Sequence, residues 1–372
     1  MSTSGTPTTE TPPTRGHAPL ATQVGGHAGV LTSEGGDMII KPALPVEIDF
    51  YQSVGSDPAF APLRPFIPKF YGTLKLEGTL VPEGKANSTA PVEIDLTHLR
   101  PTKDDRRDKE SIVLENLTMR FAKPNIMDIK LGTILYDEDA TPEKKARMEK
   151  TAKETTSFET GVRITGFQVQ DLTTGTAVNT PREYGKSLKK EQLPSGIAKF
   201  FPTTTRTSPP SPSSAAEPTA AIDTDATNVP ATTQAGDVSG LPPHLLLPIL
   251  RGILRNTQEI RDAVAEVEMR MVGGSLLVIY EADWERAAEG IRREEEGEDL
   301  SGEEDDDEDE DEAEEGTKKL KVGRAYVVKL IDFAHTFIVP GRGPDASLLK
   351  GLDTSLELFK GRIAEVERLV KP

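Results

Sequence analysis

The stretch "PNIMDIKLGTILYDED", residues 124–139, carries two charged side chains inside an otherwise apolar run and ends in an acidic loop. Alternate residues of a β-strand project from the same face of a sheet, so Asp128 and Lys130 would lie side by side while Ile129 faces the core. Taken alone, an ion pair between Asp128 and Lys130 is the simpler explanation. The alternative is that both side chains serve one functional site.

The sequence before this segment predicts mainly strands, and the sequence after it predicts both helices and strands. Stretches with β-branched and aromatic residues predict strands, and apolar residues at helical spacing predict amphipathic helices. A Thr-Pro-Glu opening at Thr141 predicts a helix that runs to about Thr155. The other predicted elements are strands at 37–44, 69–81, 111–117, 275–282 and 324–336, and helices near 45–54, 245–267 and 348–366. This order predicts an α+β protein in which a small β-rich lobe precedes a larger mixed lobe.

Three segments have compositions that do not support a packed core. Residues 1–19 and 202–240 are rich in Thr, Pro, Ser and Ala, and residues 294–315 contain 17 Asp and Glu with no Lys or Arg. Burial in such segments cannot offset the entropy of ordering the chain, so we expect all three to be disordered. The folded part then consists of an N-terminal lobe at 20–117 and a C-terminal lobe at 118–372 that is interrupted by two inserts.

The charge and the cysteine count narrow the class of protein. The net charge of -17 belongs to the acid run, since the rest of the chain holds 44 acids against 44 bases, and an anionic ligand is therefore compatible with the folded part. The absence of cysteine excludes a disulfide framework, a thiolate zinc site and a cysteine nucleophile. No signal peptide or apolar run near the ~18 residues of a membrane span is found, so we expect a soluble intracellular protein.

A second carboxylate stands where a buried strand should continue. In "VVKLIDFAHT", residues 327–336, the run before Asp332 is apolar except for Lys329. An ionised carboxylate at the end of a buried strand is costly unless it is paired or bound to a metal. The sequence therefore leaves two explanations for Asp332, a turn-capping residue or a ligand for a cation.

Taken in order, these pieces resemble the inositol polyphosphate kinase family. "PNIMDIKLG" matches the family's P-x-x-x-D-x-K-x-G motif, and "SLLVIYE" at 275–281 resembles its S-L-L segment. "IDFAHT" at 331–336 resembles the family's metal-binding I-D-F segment. The first lobe contains further segments in the family's order, namely "QVGGHAG" at 23–29, "IIKP" at 39–42, "EIDFYQ" at 47–52 and "FIPKFYGTL" at 66–74. The resemblance covers nearly all of the patterned sequence from about residue 20.

The resemblance implies a two-lobed, protein-kinase-like fold with ATP bound between the lobes. Lys41 would hold the ATP phosphates and would be oriented by Glu47. Val24, in a glycine-containing segment, would approach the nucleotide, and the main chain from Glu115 to Leu117 would receive the adenine. Transfer of a phosphoryl group needs placement of the acceptor and neutralisation of charge more than covalent help from the protein.

The resemblance also assigns roles around the transferred phosphoryl group. Asp128 would orient the ribose or the attacking hydroxyl, and Lys130 would contact the transferring phosphoryl group or the acceptor sugar. Asp332 would hold Mg²⁺ against the ATP phosphates. The residues implied for inositol phosphate binding are Lys130, Lys144, Arg147 and His335.

The wording of the motifs is most similar to the fungal multikinases of this family. These phosphorylate inositol trisphosphate and tetrakisphosphate with ATP, giving the pentakisphosphate. An inositol hexakisphosphate kinase is the nearest alternative, and a non-catalytic transcriptional scaffold that uses the acid run is a second. The resemblance implies residence in the nucleus and cytoplasm. No basic stripe with interleaved aromatic residues is present, so direct binding of nucleic acid is not expected.

Overall fold

Two antiparallel sheets form the framework of the protein. The computed structural model describes residues 18–19, 30–75, 110–209, 240–298 and 322–370. The first sheet has the strand order β1-β2-β3-β5-β4. Its strands are β1 (Ala18–Pro19), β2 (Leu31–Thr32), β3 (Met38–Pro42), β4 (Phe70–Lys75) and β5 (Glu110–Glu115). Helix α1 (Pro45–Ser56) begins with a proline in its first turn and follows β3 directly.

The second sheet contains the strand that carries Asp128 and Lys130. Its order is β11-β10-β6-β7-β8, so β6 lies in the middle of the sheet. The strands are β6 (Pro124–Leu131), β7 (Val162–Asp171), β8 (Thr176–Thr180), β10 (Ser275–Glu281) and β11 (Tyr326–Ile331). Two short strands, β9 (Met269–Met271) and β12 (Thr336–Ile338), pair with each other beside it.

Helices pack against this second sheet and contribute part of the core. Thr141 Oγ1 accepts a hydrogen bond from the Lys144 amide and caps α2, as the sequence predicted. Ile249, Ile253 and Phe359, from the two longest helices, are fully buried. The helices are α2 (Pro142–Glu154), α3 (Ser157–Thr160), α4 (Arg182–Ser187), α5 (Leu193–Phe200), α6 (Pro243–Glu266), α7 (Trp284–Glu295) and α8 (Ala346–Val370). In the described residues, none of them is long and apolar enough to cross a membrane.

The α+β arrangement is confirmed, but the strand predicted at 324–336 is wrong in extent. The observed strand β11 ends at Ile331, because Asp332 has a φ of +67° and turns the chain out of the sheet. Residues 210–239 and 299–315 of the two predicted inserts lie outside the described residues. The flanks of these inserts are ordered, since Thr203 pairs with Leu241 and Glu294 lies in the last turn of α7.

Gly252 marks a close approach between α6 and the second sheet. A Cβ there would lie 2.1–2.4 Å from ring atoms of Tyr326, whose hydroxyl is held by Arg255 and Glu294. Gly252→Ala is therefore expected to lower the free energy of unfolding by ~1–3 kcal/mol through overpacking, despite the better helix propensity of alanine. Thermal unfolding measures the change. Gly361→Ala in α8 is the matched control, because no atom lies within 4 Å of its added Cβ, and it should be neutral or stabilising.

Candidate active site

Strand β6 presents Asp128 and Lys130 on one face, as its alternation predicted, while Ile129 is fully buried behind them. Asp128 and Lys130 do not form the ion pair that the sequence suggested. Lys130 Nζ lies 2.6 Å from Asp332 Oδ2 and donates a second hydrogen bond to the Gly273 carbonyl at 2.8 Å. The described residues thus join Lys130 to a carboxylate 202 positions away in the chain.

Asp332 lies between two lysines that come from different sheets. Its Oδ1 is 3.0 Å from Lys41 Nζ on β3, and Lys41 also contacts Glu47 on α1 at 2.8 Å. Burial alone would raise the pKa of Asp332, but Lys41 and Lys130 outweigh it and hold the pKa well below its usual range. Burial lowers the pKa of Lys41, but Asp332 and Glu47 prevail and raise it. Asp332 is therefore an anion, and Lys41 is charged, throughout the neutral pH range.

The turn at Asp332 is held by the residue that follows it. A φ of +67° is costly for an aspartate, and Asp332 is the only non-glycine residue with positive φ in the described part of the chain. Phe333 is fully buried, stacks on Phe50 with 4.2 Å between ring centroids, and meets Tyr51 edge to face. Because Phe50 and Tyr51 lie one helical turn after Glu47, the same face of α1 orients Lys41 and anchors the Asp332 turn.

Asp128 is a buried carboxylate with unused hydrogen-bonding capacity. It is 2% exposed, and its Oδ1 has no hydrogen-bond partner among the described residues. Burial raises the pKa of Asp128; Lys130 acts against this rise and the nearby carboxylate of Asp332 adds to it. The hydroxyl of Ser275, which pairs with Lys130 across the sheet, is buried and lies close enough to Asp128 to lower its pKa in part, but the two groups do not form a well-aligned hydrogen bond. Such groups mark a place where a ligand would supply the missing partners.

A buried cluster of apolar side chains, the apolar floor, lies next to these polar residues. Phe121, Ile126 and Ile279 form a buried cluster with Leu117, Leu277 and Val327 packed against it. The segment after β5 is fixed beside the floor, because the Asn116 amide and side chain donate to the carbonyls of Asp37 and Gly36. Glu115 and Leu117, predicted to receive adenine, flank Asn116. Val24 and its glycine segment lie outside the described residues.

Sequence reasoning gave no role to Lys329, the one charged residue in the apolar run of β11. Its Nζ donates to the carbonyl of Pro65 at 2.9 Å and lies 3.8 Å from Glu115 Oε1, so it links the second sheet to the first lobe. Burial lowers the pKa of Lys329, and Glu115 opposes the shift. A lysine inside an apolar strand was the signal that could have drawn attention to this link.

The residues implied for inositol phosphate binding are only partly brought together. Lys144 Nζ and His335 Nδ1 both contact Asp137 Oδ2, at 3.6 and 2.9 Å. Arg147, on the same helix as Lys144, is exposed. The sequence motifs gave no role to Asp137, although it lies in the acidic loop that follows β6.

Arg163 is a further cation that sequence reasoning missed. It pairs directly across the sheet with Lys130, so the two side chains project from the same face. Burial lowers the pKa of Arg163, with the Asp128 carboxylate opposing, and its guanidinium makes no hydrogen bond or ion pair within the described part of the chain. No pattern in the sequence distinguished Arg163, because its proximity to Lys130 depends on strand register.

The donor set fits a magnesium nucleotide. The described residues contain no cluster of three or more Asp, Glu, His or Cys side chains that could enclose a metal ion. Mg²⁺ in phosphotransferases is bound by one or two carboxylates together with substrate phosphates and water. Asp332, held ionised, suits such a site, and Asp128 with its free oxygen lies close to it.

Known proteins of one family are similar to this chain over most of its length. The family model described as inositol polyphosphate kinase matches residues 111–217 and 245–360, more than half of the chain. Inositol polyphosphate multikinase of Saccharomyces cerevisiae is 29% identical over 91% of this chain and 97% of that protein. Inositol hexakisphosphate kinase 2 of Mus musculus is 25% identical over 71% of this chain and 51% of that protein. The crystal structure of inositol phosphate multikinase Ipk2 from S. cerevisiae with ADP and Mn²⁺ has a TM-score of 0.54 at 26% identity, covering 88% of this chain and 100% of that one.

Proposed function

The chain belongs to the inositol polyphosphate kinase family, and from this premise we propose that it is an ATP-dependent inositol polyphosphate multikinase. It transfers the γ-phosphoryl group of ATP to hydroxyl groups of inositol trisphosphate and tetrakisphosphate, giving inositol pentakisphosphate. The observation that carries the proposal is the convergence of Lys41, Lys130 and Asp332, with the buried Asp128 beside them.

Each of these side chains suits one part of phosphoryl transfer. Lys41, oriented by Glu47, neutralises charge on the ATP phosphates, and Lys130 is placed to neutralise charge that develops on the transferring group. Asp332 binds the divalent cation, which when bound supplies further positive charge at the phosphate oxygens. Asp128 accepts a hydrogen bond from the ribose or from the attacking hydroxyl, which gives its unpartnered oxygen Oδ1 a donor.

The acceptor would lie on the side of Lys130 away from the apolar floor. We propose that Lys144, Arg147 and His335 bind its phosphates, as the family resemblance implies. The position of Arg163 opposite Lys130 supports a role for it at the same acceptor. These cations give the acceptor side a positive charge that suits a polyanionic sugar.

The test is turnover of a panel of inositol phosphates, from tris- to hexakisphosphate, with Mg-ATP and separation of the products by anion exchange. We expect the trisphosphate to be converted stepwise to the tetrakis- and pentakisphosphate. Relatives that include a hexakisphosphate kinase make that activity the second candidate. Turnover of the hexakisphosphate alone would contradict the multikinase proposal and favour this alternative.

Two further proposals concern the cell and not the reaction. We propose that the enzyme is present in the nucleus and cytoplasm, which imaging of a fluorescent fusion tests. Retention of Lys41, Asp128, Lys130 and Asp332 argues against a purely non-catalytic scaffold. A transcription-factor partner for the acid run at 294–315 is tested by comparing pull-down from the full chain and from a chain that lacks the run.

A further inference from the structure

Asp137 is a buried carboxylate beneath two basic side chains of the acceptor side. It is 9% exposed, whereas the side chains of Lys144 and His335 that contact its Oδ2 are each 40% exposed. Its second oxygen, Oδ1, is buried and has no hydrogen-bond partner among the described residues. The carboxylate is therefore beneath the two basic side chains, and these side chains are the groups that a ligand can reach.

The loop that carries Asp137 is tied down on both sides. The Ala140 amide donates to the Asp137 carbonyl at 3.1 Å, and Lys145 Nζ donates to the Glu138 carbonyl at 2.6 Å. The Glu138 carboxylate pairs with Arg342 through two hydrogen bonds of 2.6 and 2.9 Å. These contacts connect the loop to α2 and to the segment after β12, so the Asp137 carboxylate is held in place.

We propose that Asp137 is a positioning residue for the acceptor, a role that rests on the proposed function. It holds Lys144 of α2 and His335 of the segment after Asp332 together, although 191 residues separate them in the sequence. Contact of His335 Nδ1 with the carboxylate leaves Nε2 as the nitrogen that can meet a phosphate oxygen. Asp137 thereby fixes both side chains before the inositol phosphate binds, which lowers the entropic cost of binding.

The same contacts have a competing interpretation, in which the carboxylate stands in for a substrate phosphate and must be displaced. Its burial argues against displacement, because a phosphate would have to reach beneath Lys144 and His335. The two interpretations predict opposite changes in the affinity for the acceptor. Loss of the Asp137 charge weakens acceptor binding if Asp137 positions the two basic side chains, and strengthens it if Asp137 competes for them.

The experiment compares Asp137→Asn with the wild-type full chain in steady-state kinetics. We expect the KM for inositol trisphosphate to rise about 10-fold, which corresponds to ~1.4 kcal/mol, with the KM for ATP and kcat within about twofold of wild type. If Asp137→Asn is unfolded at the assay temperature, Asp137→Ser keeps a hydroxyl at the site without the charge. Asp139→Asn is the matched control, since it neutralises an exposed acid of the same loop that, among the described residues, does not tie the loop to another element, and its KM should stay within about twofold.

A mutant cycle separates positioning from a general structural role. In the Lys144→Met/His335→Gln protein, Asp137→Asn should change the acceptor KM less than about twofold, because the side chains it positions are gone. An unchanged or lowered KM in the single variant, a parallel loss of ATP affinity and kcat, or full additivity in the cycle would overturn the inference. Failure of the proposed function itself would be distinguishable, since the wild-type chain would then not turn over inositol trisphosphate.

Discussion

Asp332→Asn lowers kcat about 10³-fold and also lowers the melting temperature, if the carboxylate acts as the structure indicates. Loss of the anion removes the group that we propose binds the divalent cation, and a 10³-fold change corresponds to ~4 kcal/mol of lost transition-state stabilisation. It also leaves Lys41 and Lys130 facing each other without the carboxylate that separates them. Because Asp332 is about one-fifth exposed, we expect a loss of about 2 kcal/mol in the free energy of unfolding, less than for a fully buried pair.

The stability that Asp332 contributes should decrease in acid. The folded-state pKa of Asp332 lies below its usual value, so its contribution to stability is present above the unfolded pKa, about 4, and is lost as the pH falls towards the folded value. The difference in melting temperature between wild type and Asp332→Asn should be constant near neutral pH and should shrink below about pH 4. Calorimetry over pH 3.5–8 measures this difference. Asp353→Asn, which breaks an exposed ion pair with Arg261, should keep wild-type activity and stability.

Wild-type turnover by a folded Asp332→Asn protein would contradict the cation-binding role. Loss of turnover with unchanged stability at neutral pH would retain that role but contradict the stabilising triad of Lys41, Asp332 and Lys130.

Asp128→Asn should also abolish most activity but should raise the melting temperature or leave it unchanged. An asparagine cannot accept a proton as the carboxylate does and presents an amide group where an oxygen is needed, so we expect kcat/KM to fall about 10²–10⁴-fold. Burial raises the pKa of Asp128, with Asp332 adding to the shift against Lys130, so the ionised group destabilises the folded state at neutral pH. Replacing it with a neutral isostere removes that cost.

The ionised carboxylate of Asp128 lowers the free energy of unfolding, whereas that of Asp332 raises it. The cost of ionised Asp128 is present in full above its folded-state pKa and disappears as the pH falls below the unfolded pKa, about 4. The stability advantage of Asp128→Asn should therefore be largest near neutral pH and should vanish in acid. A kcat/KM for ATP close to wild type would contradict a role in the reaction, and a lower melting temperature at pH 7 would contradict the buried, unpaired carboxylate. The kinetic constants distinguish the two possible partners of Asp128. A change mainly in kcat indicates the attacking hydroxyl, and a change mainly in the KM for ATP indicates the ribose.

The sequence predicted those parts of the fold that depend on local pattern. The alternation in 124–131 placed Asp128 and Lys130 on one face, and Thr141 with Pro142 marked the start of α2. The order of strands and helices was sufficient for the α+β class. These predictions hold because the period of the side chains and the chemistry of a helix cap are properties of a few neighbouring residues.

The sequence by itself determined which residues can share a strand face or a helix turn, but it did not determine which charges meet. The tertiary structure decided that Lys130 pairs with Asp332 and not with Asp128, that the chain turns at Asp332 because Phe333 packs on α1, and that Asp137 contacts His335. Ion pairs between residues about 200 positions apart depend on strand register and on the packing of separate elements, which a local pattern does not specify.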